Sequence, residues 1–325
     1  MKRGFQSECL VPINGRNEGV GPRLDFPARL CWLRGVTTLS PPIRLSAAEW
    51  CERATAHRVR AERWTVPAKD RRARRASHPV EDFLFIYYPF AFAKLEQWHP
   101  GPGVALEGAT AERFPEKHYH EESGARWLDS SKLAAKERQR LQWTLELLEA
   151  TRGRTPNFAC HGLHEWAMVY RGEEVRHATT TKLRLPQSEI DALVESRPIG
   201  CSHFDAFRFF AKEARPLNRL QPSLMNRPEF EQPGCVHANM DLYKWAVKAS
   251  PWVPSELVLD CFEQAMALRD LDMRASPYDL RAWGLEPVKI ETAEGRREYE
   301  TRQRALAVTS AVLRERLIAA LRAVV

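Results

Sequence analysis

The sequence predicts a mainly α fold: a single globular multi-helix domain over residues 45–325, with a small β element and a flexible, poorly ordered basic leader over 1–44. Three observations carry this expectation. Apolar residues recur at helical spacing in most windows between turn signals, helix-start residues stand ahead of those windows, and alternating patterns are confined to two short stretches. With 325 residues, 44% hydrophobic and 28% charged, the chain has material for a large core. No window approaches 18 consecutive apolar residues, and no apolar segment of signal-peptide type follows Lys2 and Arg3, so the cytoplasm is the expected compartment.

Residues 1–44 mix Gly, Pro, Asn and Arg without any period, which is why they read as a leader. Ser46 and Glu49 then form a capping box that opens a basic helix running to about Trp64. Ser77 and Pro79 start a second, aromatic-rich run from Glu81 to Trp98, interrupted at Pro89. Residues 99–128, with His99-Pro100-Gly101-Pro102-Gly103 and His118-Tyr119-His120, read as turns and a small hairpin. From Asp129 to Thr151, leucines at 133, 141, 145 and 148 make the clearest amphipathic helix, with Gly153 just beyond it. Further helices are expected at 156–170, 187–196, 202–214, 238–249, 254–271 and 295–322, and a strand at Thr179–Leu185.

The formal charge of +7 is unevenly spread. Residues 1–44 hold seven basic and three acidic side chains, 45–80 hold nine and four, and 81–325 hold 33 and 35. A polyanionic partner would therefore meet the first quarter, which ends in the run containing Arg71, Arg72, Arg74 and Arg75. The seven cysteines form no CxxC pair, which argues for reduced thiols and against a thiolate zinc knuckle. Walker A, GxGxxG, GxSxG and zinc-deaminase signatures are all missing.

Three segments combine Cys, His and an acid. In Cys160-His161-Gly162-Leu163-His164-Glu165-Trp166, helical spacing would let His161, His164 and Glu165 converge. In Cys201-Ser202-His203-Phe204-Asp205-Ala206-Phe207, Ser202 reads as an N-cap that places His203 and Asp205 in a first turn. In Cys235-Val236-His237-Ala238-Asn239-Met240-Asp241, a Pro-Gly turn delivers His237 near a helix start, with Asp241 one turn on. Catalytic sites gather residues from separated segments, so these three are expected to meet in one pocket.

The same segments, together with His78-Pro79-Val80-Glu81-Asp82-Phe83, Trp98-His99-Pro100-Gly101 and Leu271-Asp272-Met273-Arg274-Ala275-Ser276-Pro277-Tyr278, resemble a bacterial family labelled 3-methyladenine DNA glycosylase, over roughly residues 45–300. The Leu-Pro-Gly hairpin of helix-hairpin-helix glycosylases has no counterpart here. The resemblance implies hydrolysis of the N-glycosidic bond of an alkylated purine in duplex DNA, without a cofactor. On that reading Asp205, Asp241 and Glu165 are the candidate carboxylates, and His164, His203 and His237 contact the base or carry a proton. Trp166, Phe204, Phe207, Tyr243 and Trp245 would stack the base, and Arg71, Arg72, Arg74 and Arg75 would hold phosphates. Two other classes fit the residues. One is a metal-dependent enzyme acting on a small molecule, with zinc or iron on His161, His164, His203 and His237; the other is a non-catalytic nucleic-acid-binding protein using the basic quarter.

Overall fold

The computed structural model describes residues 43–172 and 181–325. The expected leader therefore lies outside the described residues, apart from its last two positions. Those two are not leader: Ile43–Leu45 (β1) pairs in parallel with Val104–Glu107 (β2). Tyr119–Glu122 (β3) and Ala125–Leu128 (β4) complete a four-stranded sheet in the order β1-β2-β4-β3. The β3–β4 hairpin turns through Ser123 and Gly124, both at positive φ, as a two-residue turn matched to strand twist requires.

The rest is helical. The capping box at Ser46 forms as read, and Ala47–Ala73 (α1) follows it. The helix outlasts the expected end at Trp64 because Ala61, Thr65 and Ala68 remain buried on either side of Pro67, so packing outweighs the lost backbone bond. The aromatic run becomes two short helices, Phe83–Tyr87 (α2) and Phe92–Glu96 (α3), broken at Pro89. Ala135–Arg152 (α4) carries the expected apolar stripe, with Leu141, Leu145 and Leu148 buried. Gln187–Glu195 (α6), Arg227–Phe230 (α8), Val236–Ala249 (α9), Ser255–Arg274 (α10) and Ala293–Arg322 (α11) follow, after Leu163–Ala167 (α5) and with Phe204–Phe207 (α7) between α6 and α8. Among the described residues no helix is long and apolar enough to cross a membrane.

Three expectations change. The helix over 156–170 is reduced to α5, because His161 and Gly162 both take left-handed φ and turn the chain just before it. A side chain at Gly162 would also press on Ala275 and the Tyr299 ring. The helix over 202–214 is reduced to α7 and a 3-10 turn, Lys212–Leu217, since the Ala211 amide is bonded to the Ala167 carbonyl at 2.9 Å instead of continuing a helix. The strand at 179–185 falls partly outside the described residues. Within them Leu183 forms an isolated bridge to Tyr278.

The core runs from Trp50 in α1 through the sheet to Val324, with α9 packed between α10 and α11. Nearly every residue of α9 is buried, polar ones included, so His237, Asn239, Asp241 and Lys244 need partners inside the protein. Outside that helix, His99 is buried with its Nδ1 2.9 Å from the Tyr119 hydroxyl, and burial, reinforced by the charge of Lys94, pushes its pKa down to about 4. Because this folded value lies below the unfolded one, about 6.5, the unfolded chain binds the proton more readily. The His99 contribution is thus complete above pH 6.5 and is lost as pH falls toward 4. Denaturant midpoints measured at pH 7 and pH 4.5 should show the loss, and it should shrink in His99→Gln.

Candidate active site

Residues far apart in sequence converge beside the N-terminal half of α9. Asp241, 1% exposed, accepts a hydrogen bond from the Tyr88 hydroxyl at 2.6 Å on one oxygen. Its other oxygen meets the Lys244 ammonium and, at 3.2 Å, His203 Nε2. His203 is the N-cap residue of α7, one position later than Ser202, and its ring also lies 3.4 Å from Glu231. Arg227 binds Glu231 at 2.8 Å and pairs with Asp205.

A second network adjoins the first. His164 sits between the Cys160 Sγ, 3.3 Å from its Nδ1, and Asp272 in α10, 2.9 Å from its Nε2. Arg269, one turn before Asp272, reaches Glu165 at 3.3 Å and Asp272 at 3.8 Å, and its guanidinium lies 3.6 Å from the centre of the Phe83 ring. His237 joins the two networks. Its ring is 4.6 Å from that of His164 and nearly perpendicular to it, and 5.5 Å from that of His203.

Both networks border a cavity of about 470 Å³, within the roughly 300–1,000 Å³ of small-molecule sites. Glu165, Asp205, His237 and Arg269 supply its polar wall, while Phe83, Tyr87, Phe209, Tyr278 and Trp283 supply rings. Phe83 and Tyr87 are themselves stacked, with centroids 5.1 Å apart. A flat apolar ligand with a polar edge matches these walls.

The two carboxylates on the wall are driven apart in acidity. Burial and the neighbouring Asp272 charge raise the Glu165 pKa, and Arg269 offsets this only in part. At Asp205 burial also acts upward, but Arg227 and Lys244 hold it below the usual carboxylate value. Burial, aided by the His164 charge, brings His237 down to about 3, so its imidazole is neutral at pH 7. His164 is the opposite case: burial disfavours its proton, but the Asp272 carboxylate keeps it well above the ordinary histidine value. Paired groups with opposed shifts are how one pocket holds both an acid and a base at neutral pH.

Of the residues singled out from sequence, His164, Glu165, His203, Asp205, His237 and Asp241 come together. His161 does not. The left-handed turn aims it away, 3.4 Å from Glu300 on α11. The aromatic assignments also change, because the helices carrying those rings turn them into the core. Trp166 is fully buried and donates to the Ala275 carbonyl at 2.8 Å, and Tyr243 packs on Tyr88, Phe90 and Phe262. Trp245 packs on Trp143, Phe207 packs on Phe210, and Phe204 is half-buried; none of these five lines the cavity. Arg71 is taken up by Asp82 and Glu81. Arg72 and Arg75 line a groove of about 250 Å³ that shares Ser77 and Ile86 with the cavity, whereas Arg74 is exposed and outside it.

Sequence reasoning missed Tyr88, Arg227, Glu231, Lys244, Arg269 and Asp272 as members of this constellation. A signal was present in α10, where Arg269 and Asp272 stand one turn apart on a helix whose other buried positions are mostly apolar. Among the described residues, two groups bring metal-binding atoms within 4.8 Å of one another: His164, Glu165, His237 and Asp272, and His203, Glu231 and Asp241. No family model matches the chain, and no curated protein or solved structure does so either.

Proposed function

We propose that the chain is a base-excision enzyme that hydrolyses the N-glycosidic bond of an alkylated purine in DNA, such as 3-methyladenine. The observation that carries this reading is an ionised carboxylate, Asp205, on the wall of a ring-lined cavity. A base extruded from the duplex stacks between aromatic side chains, here Phe209, Tyr278 and Trp283. An alkylated purine nucleoside carries positive charge, which the faces of such rings attract, and its base leaves as a neutral molecule without needing a proton. As the carbon–nitrogen bond breaks, positive charge moves to the sugar, where Asp205 offsets it, orients the water that adds to the anomeric carbon and takes up the proton that this water gives up. The neutral imidazole of His237 can hydrogen-bond the edge of the base.

DNA as the substrate is favoured by the arginine groove beside the cavity. Arg72 and Arg75 have no carboxylate partner among the described residues, and Arg72 is steadied over the Phe92 ring at 4.8 Å. Phosphates flanking an extruded nucleotide would meet them there. The test is to incubate the protein with methylated duplex DNA and separate the released bases by chromatography. Free 3-methyladenine is expected; release of none of the methylated purines would sink the reading.

A further inference from the structure

We propose that His164, Glu165, His237 and Asp272 hold one divalent first-row transition metal ion at the floor of the cavity. Two imidazoles and two carboxylates form a mixed nitrogen and oxygen donor set. That set suits iron, manganese or zinc better than calcium or magnesium, which take oxygen ligands, or copper(I), which favours sulfur. Their donor atoms already lie within 4.8 Å of one another, and all four residues are buried.

Access separates the two candidate groups: Glu165 and His237 line the cavity, whereas His203, Glu231 and Asp241 do not. In the group of His203, Glu231 and Asp241, each carboxylate already has a cation: Lys244 on Asp241 and Arg227 on Glu231, with the Tyr88 hydroxyl closing the second Asp241 oxygen. His203 Nδ1 and Glu231 Oε1 lack hydrogen bonds but do not face the cavity, whereas the first group combines open atoms with access to it. Asp272 Oδ2 is fully buried without a hydrogen-bond partner, with the Arg269 guanidinium 3.8 Å from it. Neither ring nitrogen of His237 has a hydrogen-bond partner among the described residues. Ion-binding capacity thus remains where two ligands, Glu165 and His237, face the cavity and provide an entry path from solvent.

The surroundings also resemble the outer partners that orient metal ligands. The second ring nitrogen of His164 faces the Cys160 sulfur at 3.3 Å, which fixes the ring with Nε2 toward Asp272. Arg269 holds Glu165 at 3.3 Å. An ion between His164 and Asp272 takes the place of the proton that now joins them.

This inference does not depend on base excision, because metal content is read without any substrate. Protein purified without an affinity tag is analysed for iron, manganese and zinc, and apoprotein is titrated with Mn²⁺ and Zn²⁺ by calorimetry. The expected result is one equivalent per chain, with affinity lowered at least tenfold in both His237→Ala and Asp272→Asn and unchanged in His203→Gln. His237→Ala removes no hydrogen bond among the described residues, so circular dichroism should show it folded even if Asp272→Asn is not. No binding by folded wild-type protein overturns the proposal, as does binding that survives His237→Ala or is lost instead in His203→Gln.

Discussion

Replacing Asp205 with Asn should lower the rate of base release by about 10²–10³-fold while leaving the fold intact, the range typical of removing one preorganised electrostatic group from a reaction centre. Asp205 is the carboxylate that meets the three requirements of the proposed role together. It lines the cavity, it is held ionised by Arg227 and Lys244, and it is more exposed than the other acids of the network. Asn keeps the shape and loses the charge, so substrate affinity should change much less than turnover. Single-turnover rates at saturating protein separate the two effects. An equal drop in binding and turnover would instead assign Asp205 to holding the substrate.

Asp241→Ala should have its main effect on stability, a loss of about 3–5 kcal/mol, as expected when one partner is removed from a buried charge network. The carboxylate accepts from Tyr88, Lys244 and His203 in the middle of α9 and does not line the cavity. Its removal leaves the buried Lys244 ammonium with only the longer contact to Asp205, at 3.6 Å, and leaves two further groups short of an acceptor. Urea denaturation of wild-type and variant proteins measures the difference. A variant as stable as wild type but inactive would return Asp241 to the chemistry, where the sequence alone had put it beside Asp205.

That contrast shows what the sequence discloses. Helix starts with a local cause were legible: the capping box at Ser46, the stripe of α4, and the long apolar faces of α10 and α11 depend on residues a turn apart. So was the gathering of three His-acid segments, because each carries its polar residues at or near an element boundary. The roles within the gathering were not legible. Whether Asp205 or Asp241 faces the cavity depends on where Lys244, Arg227 and Tyr88 are folded in, and Tyr88 is 153 positions from Asp241 in the chain. The rings that wall the cavity escaped for the same reason. Phe83, Phe209, Tyr278 and Trp283 sit at helix edges and in connecting segments, whereas the rings nearest the motifs, Trp166 and Tyr243, point into the core. His161 shows the limit of periodic reasoning, since two left-handed residues remove the helix that its spacing requires.

The central claim, that this cavity cleaves the bond between an alkylated purine and its sugar, is tested most directly on an oligonucleotide duplex carrying a single such purine. Mass spectrometry of the products reports the free base and the remaining strand together. The account predicts free base and an abasic strand in equal amounts with wild-type protein, and little of either with Asp205→Asn. An intact strand after prolonged incubation with folded wild-type protein, or equal release by Asp205→Asn, would contradict it.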